Sequence, residues 1–149
     1  MRLAADASAL VAESLRARGE DLITHDDLDL YIARPTWSEV VHEVERRIDA
    51  WIRNGRVTSD RRAHTLRRTL SMLAQSVTLV PDEEYAEYEA EARDRIPRDA
   101  QDWPTVALAL RMGVGIWTAD KDFFGCGVPI WITETLLTHV AAGRAHGDI

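Results

Sequence analysis

Residues 102–120 read DWPTVALALRMGVGIWTAD. Asp102 stands ahead of a proline suited to a first helical turn, and Val106, Ala107, Ala109 and Leu110 carry that helix to Gly113, where a left-handed residue can end it. Residues 115–118 then form a short, apolar, buried-looking strand, and Asp120 follows its end. Helix, glycine, strand and acid in direct succession predict the α/β class. The expected architecture is a three-layer α/β/α stack around a mostly parallel central sheet.

Working outward, the chain opens with a strand at residues 2–5 that ends on Asp6. A helix from residue 8 to about 18 follows, with Gly19 as its expected stop. After the acidic loop of His25, Asp26 and Asp27, residues 28–33 read as a second strand. Pro35 separates it from a strongly periodic helix whose stripe is Trp37, Val40, Val41, Val44, Ile48, Trp51 and Ile52, closed by Asn54 and Gly55. A further helix over about 59–75 points Ala63, Leu66, Leu70 and Leu73 inward. Residues 77–80 are a β-branched strand that Pro81 ends. Residues 82–93 read as an acidic, exposed helix, 128–132 as a last strand, and about 134–142 as a last helix. The tail at about 143–149 is expected to fray.

Composition bounds the function. At 149 residues and 46% hydrophobic content, the chain can bury one core and is too short for two ordinary domains, so one domain over 1–149 is expected. Cys126 is the single cysteine, which excludes an intramolecular disulfide and a thiolate zinc cage and makes a cytoplasmic location the default. No apolar stretch is long enough for a signal peptide or membrane span. With 25 acidic residues against 18 basic ones, the net charge of −7 opposes non-specific nucleic-acid binding unless several acids hold cations.

In a parallel sheet the carboxyl ends of all strands gather on one edge, where such folds place ligands. Asp6 follows the first strand, Glu39 lies at the start of the helix after the second, and Asp120 follows the 115–118 strand. Asp102 begins the helix that returns to that strand, so it starts on the same edge. Carboxylates gathered there repel one another unless a cation sits between them. Oxygen ligands without a nearby Cys or His pair favour Mg²⁺ or Mn²⁺, which can activate a water for in-line phosphoryl displacement. Each acid also has a simpler reading. Asp6 and Asp102 are good helix N-caps, Thr36 to Glu39 fits a capping box, and Asp120 could be a solvated loop acid. Capping and ion binding are compatible, because a cap carboxylate retains lone pairs.

Taken together, these segments resemble the PIN (PilT N-terminus) domain, the nuclease fold of VapC-type toxins. The opening Leu-Ala-Ala-Asp-Ala-Ser is similar to the family's first strand, an aspartate followed two residues later by a small hydroxyl residue, here Asp6 and Ser8. Thr-Trp-Ser-Glu-Val-Val from Thr36 looks like the helix carrying the family's glutamate, Glu39. Asp102-Trp-Pro-Thr-Val-Ala-Leu resembles the helix of the third acid. Trp-Thr-Ala-Asp-Lys-Asp-Phe from Trp117 resembles the final T-x-D-x-D-F signature, giving Thr118, Asp120 and Asp122. The resemblance implies a metal-dependent endoribonuclease, with Asp6, Asp102 and Asp120 on Mg²⁺ or Mn²⁺ and Glu39 holding metal or orienting water. It implies that Ser8, Thr118 and Asp122 support those acids from behind. RNA would be the substrate, and an antitoxin protein and a homodimer are implied as partners.

Arg61, Arg62, Arg67 and Arg68, with Arg46, Arg47, Arg53 and Arg56 upstream, could track an RNA backbone, or form a solvated, salt-bridged helical face. Of the five tryptophans, Trp37, Trp51, Trp117 and Trp131 read as core and Trp103 as the exposed candidate for base stacking. The histidines are too dispersed for a triad and read as surface residues. Lys121 reads as a charge neighbour of the aspartates beside it. A catalytically silent PIN-like binding module is the rival reading. A haloacid-dehalogenase-type phosphohydrolase also opens strand-Asp, but needs a second Asp where Ser8 stands.

Overall fold

The computed structural model describes residues 1–147. Its strands are β1 (Arg2–Ala5), β2 (Asp29–Ala33), β3 (Val77–Val80), β4 (Gly115–Trp117) and β5 (Ile130–Trp131), joined in one parallel sheet of order β3-β2-β1-β4-β5. Leu3 sits opposite Leu30 on one side and Gly115 on the other, so the first strand is the central one. The helices are α1 (Ala7–Ser14), α2 (Ala17–Ile23), α3 (Arg34–Arg53), α4 (Arg62–Ser76), α5 (Glu89–Arg95), α6 (Trp103–Met112) and α7 (Thr133–Gly147). The tail expected to fray extends beyond the described residues.

Side chains alternate across a strand, and β1 serves two cores. Leu3 and Ala5 join Leu10, Val40, Ile48 and Leu136 on one face, under α1 to α4 and α7. Ala4 joins Ile96, Val106, Leu108 and Phe123 on the other, under α5 and α6. The sheet is therefore the middle of three α/β/α layers. Gly113 ends α6 at φ 63°, the left-handed conformation expected of it.

Four expectations change. The first helix is two: Arg16 is extended at φ −131° and ψ 137°, and the chain restarts as α2. Gly19 lies inside α2 and caps nothing; a Cβ there would run into the Glu13 backbone, so the glycine lets α2 cross the end of α1. The acidic helix at 82–93 is two 3₁₀ turns followed by α5, because Tyr85 is fully buried while the acids around it stay in water. Its hydroxyl donates to Asp82 at 2.9 Å. Ala63 is exposed, since α4 buries Thr69 and Leu73 instead.

Candidate active site

The C-terminal ends of β1, β2 and β4 open onto a cleft of about 190 Å³ lined by Asp6, Glu39, Asp102 and Asp120, with Glu43 and Arg47 on its wall. The fold thus brings all four sequence-selected acids together from segments far apart in the chain.

Asp6 leaves β1 directly and is 5% exposed. Its Oδ2 accepts from Ser8 Oγ at 2.5 Å, from Thr118 Oγ1 at 2.9 Å and from the Ser8 amide at 3.3 Å. Burial pushes its carboxyl above the usual range, against these hydrogen bonds, which pull it down. Both hydroxyls also hold the β4 loop: Ser8 Oγ accepts from the Ala119 amide at 3.0 Å and Thr118 Oγ1 from the Asp120 amide at 2.9 Å. Each hydroxyl has one proton and sends it to Asp6, so the pair ties the acid of β1 to the acid after β4.

Asp120 in turn caps the turn that follows it, accepting from the Asp122 amide at 2.8 Å. The Asp122 side chain faces Arg98 at 3.9 Å and does not line the cleft, so its link to Asp120 runs through its backbone.

Asp102 occupies the N-cap position of α6 but makes no side-chain capping bond. Asp99 caps the preceding 3₁₀ turn instead, accepting from the Gln101 amide at 3.2 Å. The carboxylate of Asp102 is therefore left to the cleft. Burial, followed by the charges of Asp6, Asp99, Glu39 and Asp120, pushes it up to about 7.

Glu39 is likewise free of its expected capping role. Ala33 is the N-cap of α3, and Thr36 is buried with its hydroxyl 3.2 Å from that of Thr105 on α6. Glu39 lies one turn later, and burial, then Asp6, Glu43, Asp99 and Asp120, raise its pKa. Sequence reasoning passed over Glu43 and Asp99. Their signal was present: Glu43 is four residues after Glu39 on the same helix face, and Asp99 three before Asp102.

Among the described residues, no three Asp, Glu, His or Cys side chains already close on a point as a metal cage would. The acids surround a space instead. An all-oxygen, anionic and half-open donor set fits a hard divalent cation that keeps several of its own waters.

Other expected contributors sit elsewhere. Arg62 donates to Asp49 at 2.5 and 3.1 Å and to Glu45 at 2.9 Å, tying α4 to α3. Arg68 grips Glu20 of α2 at 2.8 and 3.1 Å. Arg61 and Arg67 are exposed, and none of the four lines the cleft. Trp103, expected as an exposed platform, packs edge-on to Tyr85 at 5.9 Å with the Arg93 guanidinium over its ring at 5.2 Å. His25, expected at the surface, has a side chain only 8% exposed, with Nδ1 accepting from the Asp27 amide at 3.1 Å. Lys121 is exposed in the turn after Asp120, and the side chain of His146 lies outside those described.

A family model described as PIN domain matches residues 5–141. The crystal structure of PAE2754 from Pyrobaculum aerophilum superposes with a TM-score of 0.65 at 26% identity, covering 95% of this chain and 90% of that one. No curated protein sequence matches the chain.

Proposed function

Because the chain belongs to the PIN-domain family, which generally includes metal-dependent nucleases, we propose that it is a Mg²⁺- or Mn²⁺-dependent endoribonuclease hydrolysing RNA phosphodiester bonds in the acidic cleft. One observation carries this reading. Asp102 stands at a helix cap yet caps nothing, and burial, followed by the charges of four neighbouring carboxylates, raises its pKa to about 7. Uncompensated crowding of this kind is a cost to the fold that a bound cation removes.

In this mechanism Asp6, Asp102 and Asp120 hold the ion. When bound, a divalent cation neutralises the acids, lowers the pKa of a water and stabilises charge on phosphate oxygens. Ser8 and Thr118 lock the Asp6 carboxylate in one rotamer. Glu39 is the most open of the four acids, and its raised pKa suits it to accept a proton from the attacking water. The water oxygen bonds to phosphorus, the bond from phosphorus to the leaving sugar oxygen breaks, and the leaving oxygen takes a proton from solvent. The family resemblance extends the proposal to a toxin of a toxin-antitoxin pair, acting as a homodimer and held in check by a protein antitoxin.

The test is calorimetric titration of Mg²⁺ and Mn²⁺ into the wild type and Asp6→Asn, with thermal melts of both and an RNA cleavage assay. Ion binding and cleavage by the wild type, both lost in a folded Asp6→Asn, are expected. A wild type that binds no ion, with or without RNA, replaces this reading with a silent RNA- or protein-binding module.

A further inference from the structure

We propose that Arg47 is the phosphate-binding residue of the cleft, its guanidinium holding an RNA phosphate next to the one that is cut. The inference rests on the ribonuclease reading above and names how a strongly acidic site engages a polyanion.

Arg47 is the one cationic side chain among the residues lining the cleft. It comes from the same helix as the acids beside it: Glu39, Glu43 and Arg47 recur every four residues and share a face of α3. A glutamate four residues ahead of an arginine is the favoured order for an intrahelical ion pair, so Glu43 and Arg47 are expected to join. They do not. Glu43 lies 3.3 Å from Arg46 instead, and among the described residues Arg47 has no carboxylate within 4.0 Å. Elsewhere Arg62, Arg68, Arg93 and Arg95 are all taken up by Asp or Glu. The arginine that lines the cleft is thus exposed and, among the described residues, keeps its donors free of a carboxylate.

A planar guanidinium fork matches two oxygens of a phosphate, which a lysine can approach only as a point charge. Two helical turns separate Arg47 from Glu39, a rise of about 12 Å. That offset puts the fork on a flanking phosphate, leaving the scissile one to the acids and their ion. The charge-rich face of α4, with Arg62 and Arg68 already paired, is not needed for this contact.

The experiment compares the wild type, Arg47→Gln, Arg47→Lys and, as a charge-matched control away from the cleft, Arg67→Gln. Binding of fluorescein-labelled polyuridine and of a stem-loop RNA is followed by anisotropy in Ca²⁺ over a salt series, and cleavage is followed in Mn²⁺. Arg47→Gln is expected to weaken binding about tenfold and to reduce the slope of log affinity against log salt by about 0.7, the loss of one single-strand phosphate contact. KM should rise with kcat little changed, and the calorimetric ion affinity should not fall. Arg47→Lys should restore the slope and only part of the affinity, and Arg67→Gln should match the wild type. Wild-type binding with the same affinity and slope in Arg47→Gln overturns the inference alone, as does an equal loss in Arg67→Gln. A wild type that neither binds nor cuts RNA overturns the ribonuclease reading and this inference with it.

Discussion

Asp49 and Asp102 carry the same side chain in opposite surroundings. On α3, Asp49 receives two hydrogen bonds from Arg62, and these hold its carboxyl below the usual range. At the C-terminal edge of the sheet, Asp102 has burial and four neighbouring carboxylates, and its pKa goes the other way, to about 7. The helical shell repeats the first pattern at Arg68 with Glu20, Arg93 with Glu89 and Arg95 with Glu91. Charges that serve the fold are matched within the chain. In the cleft Asp6, Glu39, Asp102 and Asp120 gather with no ion-pair partner among the described residues.

The strongest attempt to break this contrast is Asp102→Asn. It removes a proposed ion ligand, so cleavage should fall by more than the roughly tenfold to hundredfold that loss of a supporting partner causes. The ion-free protein should nonetheless become more stable near neutral pH, because a repelled charge is gone. The pH dependence follows from the direction of the shift. A carboxyl raised from 3.8 to about 7 favours the fold while protonated. Its contribution is present below about pH 4 and is lost as pH rises through about 7. Melts in chelator should show the wild type losing stability across that window and Asp102→Asn losing less, and calorimetry should show wild-type ion affinity rising with pH over the same range. Parallel melting profiles for the two proteins would mean that the crowding is not felt.

Thr118→Val sharpens the comparison at the next level down. It removes the 2.9 Å donor to Asp6 and leaves the Asp120 amide without its acceptor. Denaturant unfolding should show a loss of about 1–3 kcal/mol, and cleavage should drop about tenfold or more. Thr118→Ser should recover most of both. If valine is tolerated, Asp6 is held by packing and not by the hydroxyl bridge.

The smallest effect is expected where charge is already matched. Arg62→Gln should lower the melting temperature only slightly, as exposed ion pairs contribute little, and should leave the cleavage rate unchanged. A clear fall in cleavage would couple the paired shell to the cleft and remove the distinction drawn here.

Much of the fold was legible because strand, acid and helix follow one another at short spacing. The 2–5 strand before Asp6, the 102–113 helix with its glycine stop and the 115–118 strand before Asp120 appear as β1, α6 and β4 with ends shifted by a residue or two. Their order implies a parallel sheet, and a parallel sheet implies one edge for all the acids. The break between α1 and α2 was not legible. Gly19 has the local look of a cap, and its close approach to Glu13 exists only once the two helices cross. Trp103 likewise looks free beside Pro104, and only packing puts Tyr85 and Arg93 against its ring.

Taken alone, the sequence determined the order of the strands and most of the helices between them, and that Asp6, Glu39, Asp102 and Asp120 end on a common edge, because hydrophobic period and cap chemistry are local. Tertiary structure decided what those acids are free to do. Asp102 makes no capping bond at the start of α6 while Asp99 caps the 3₁₀ turn before it, and Thr36 turns inward to Thr105 in place of capping α3 with Glu39. Glu43 and Arg47 join the cleft wall for the same reason. Pairing and exposure depend on which elements meet across the fold, and no spacing along the chain encodes that.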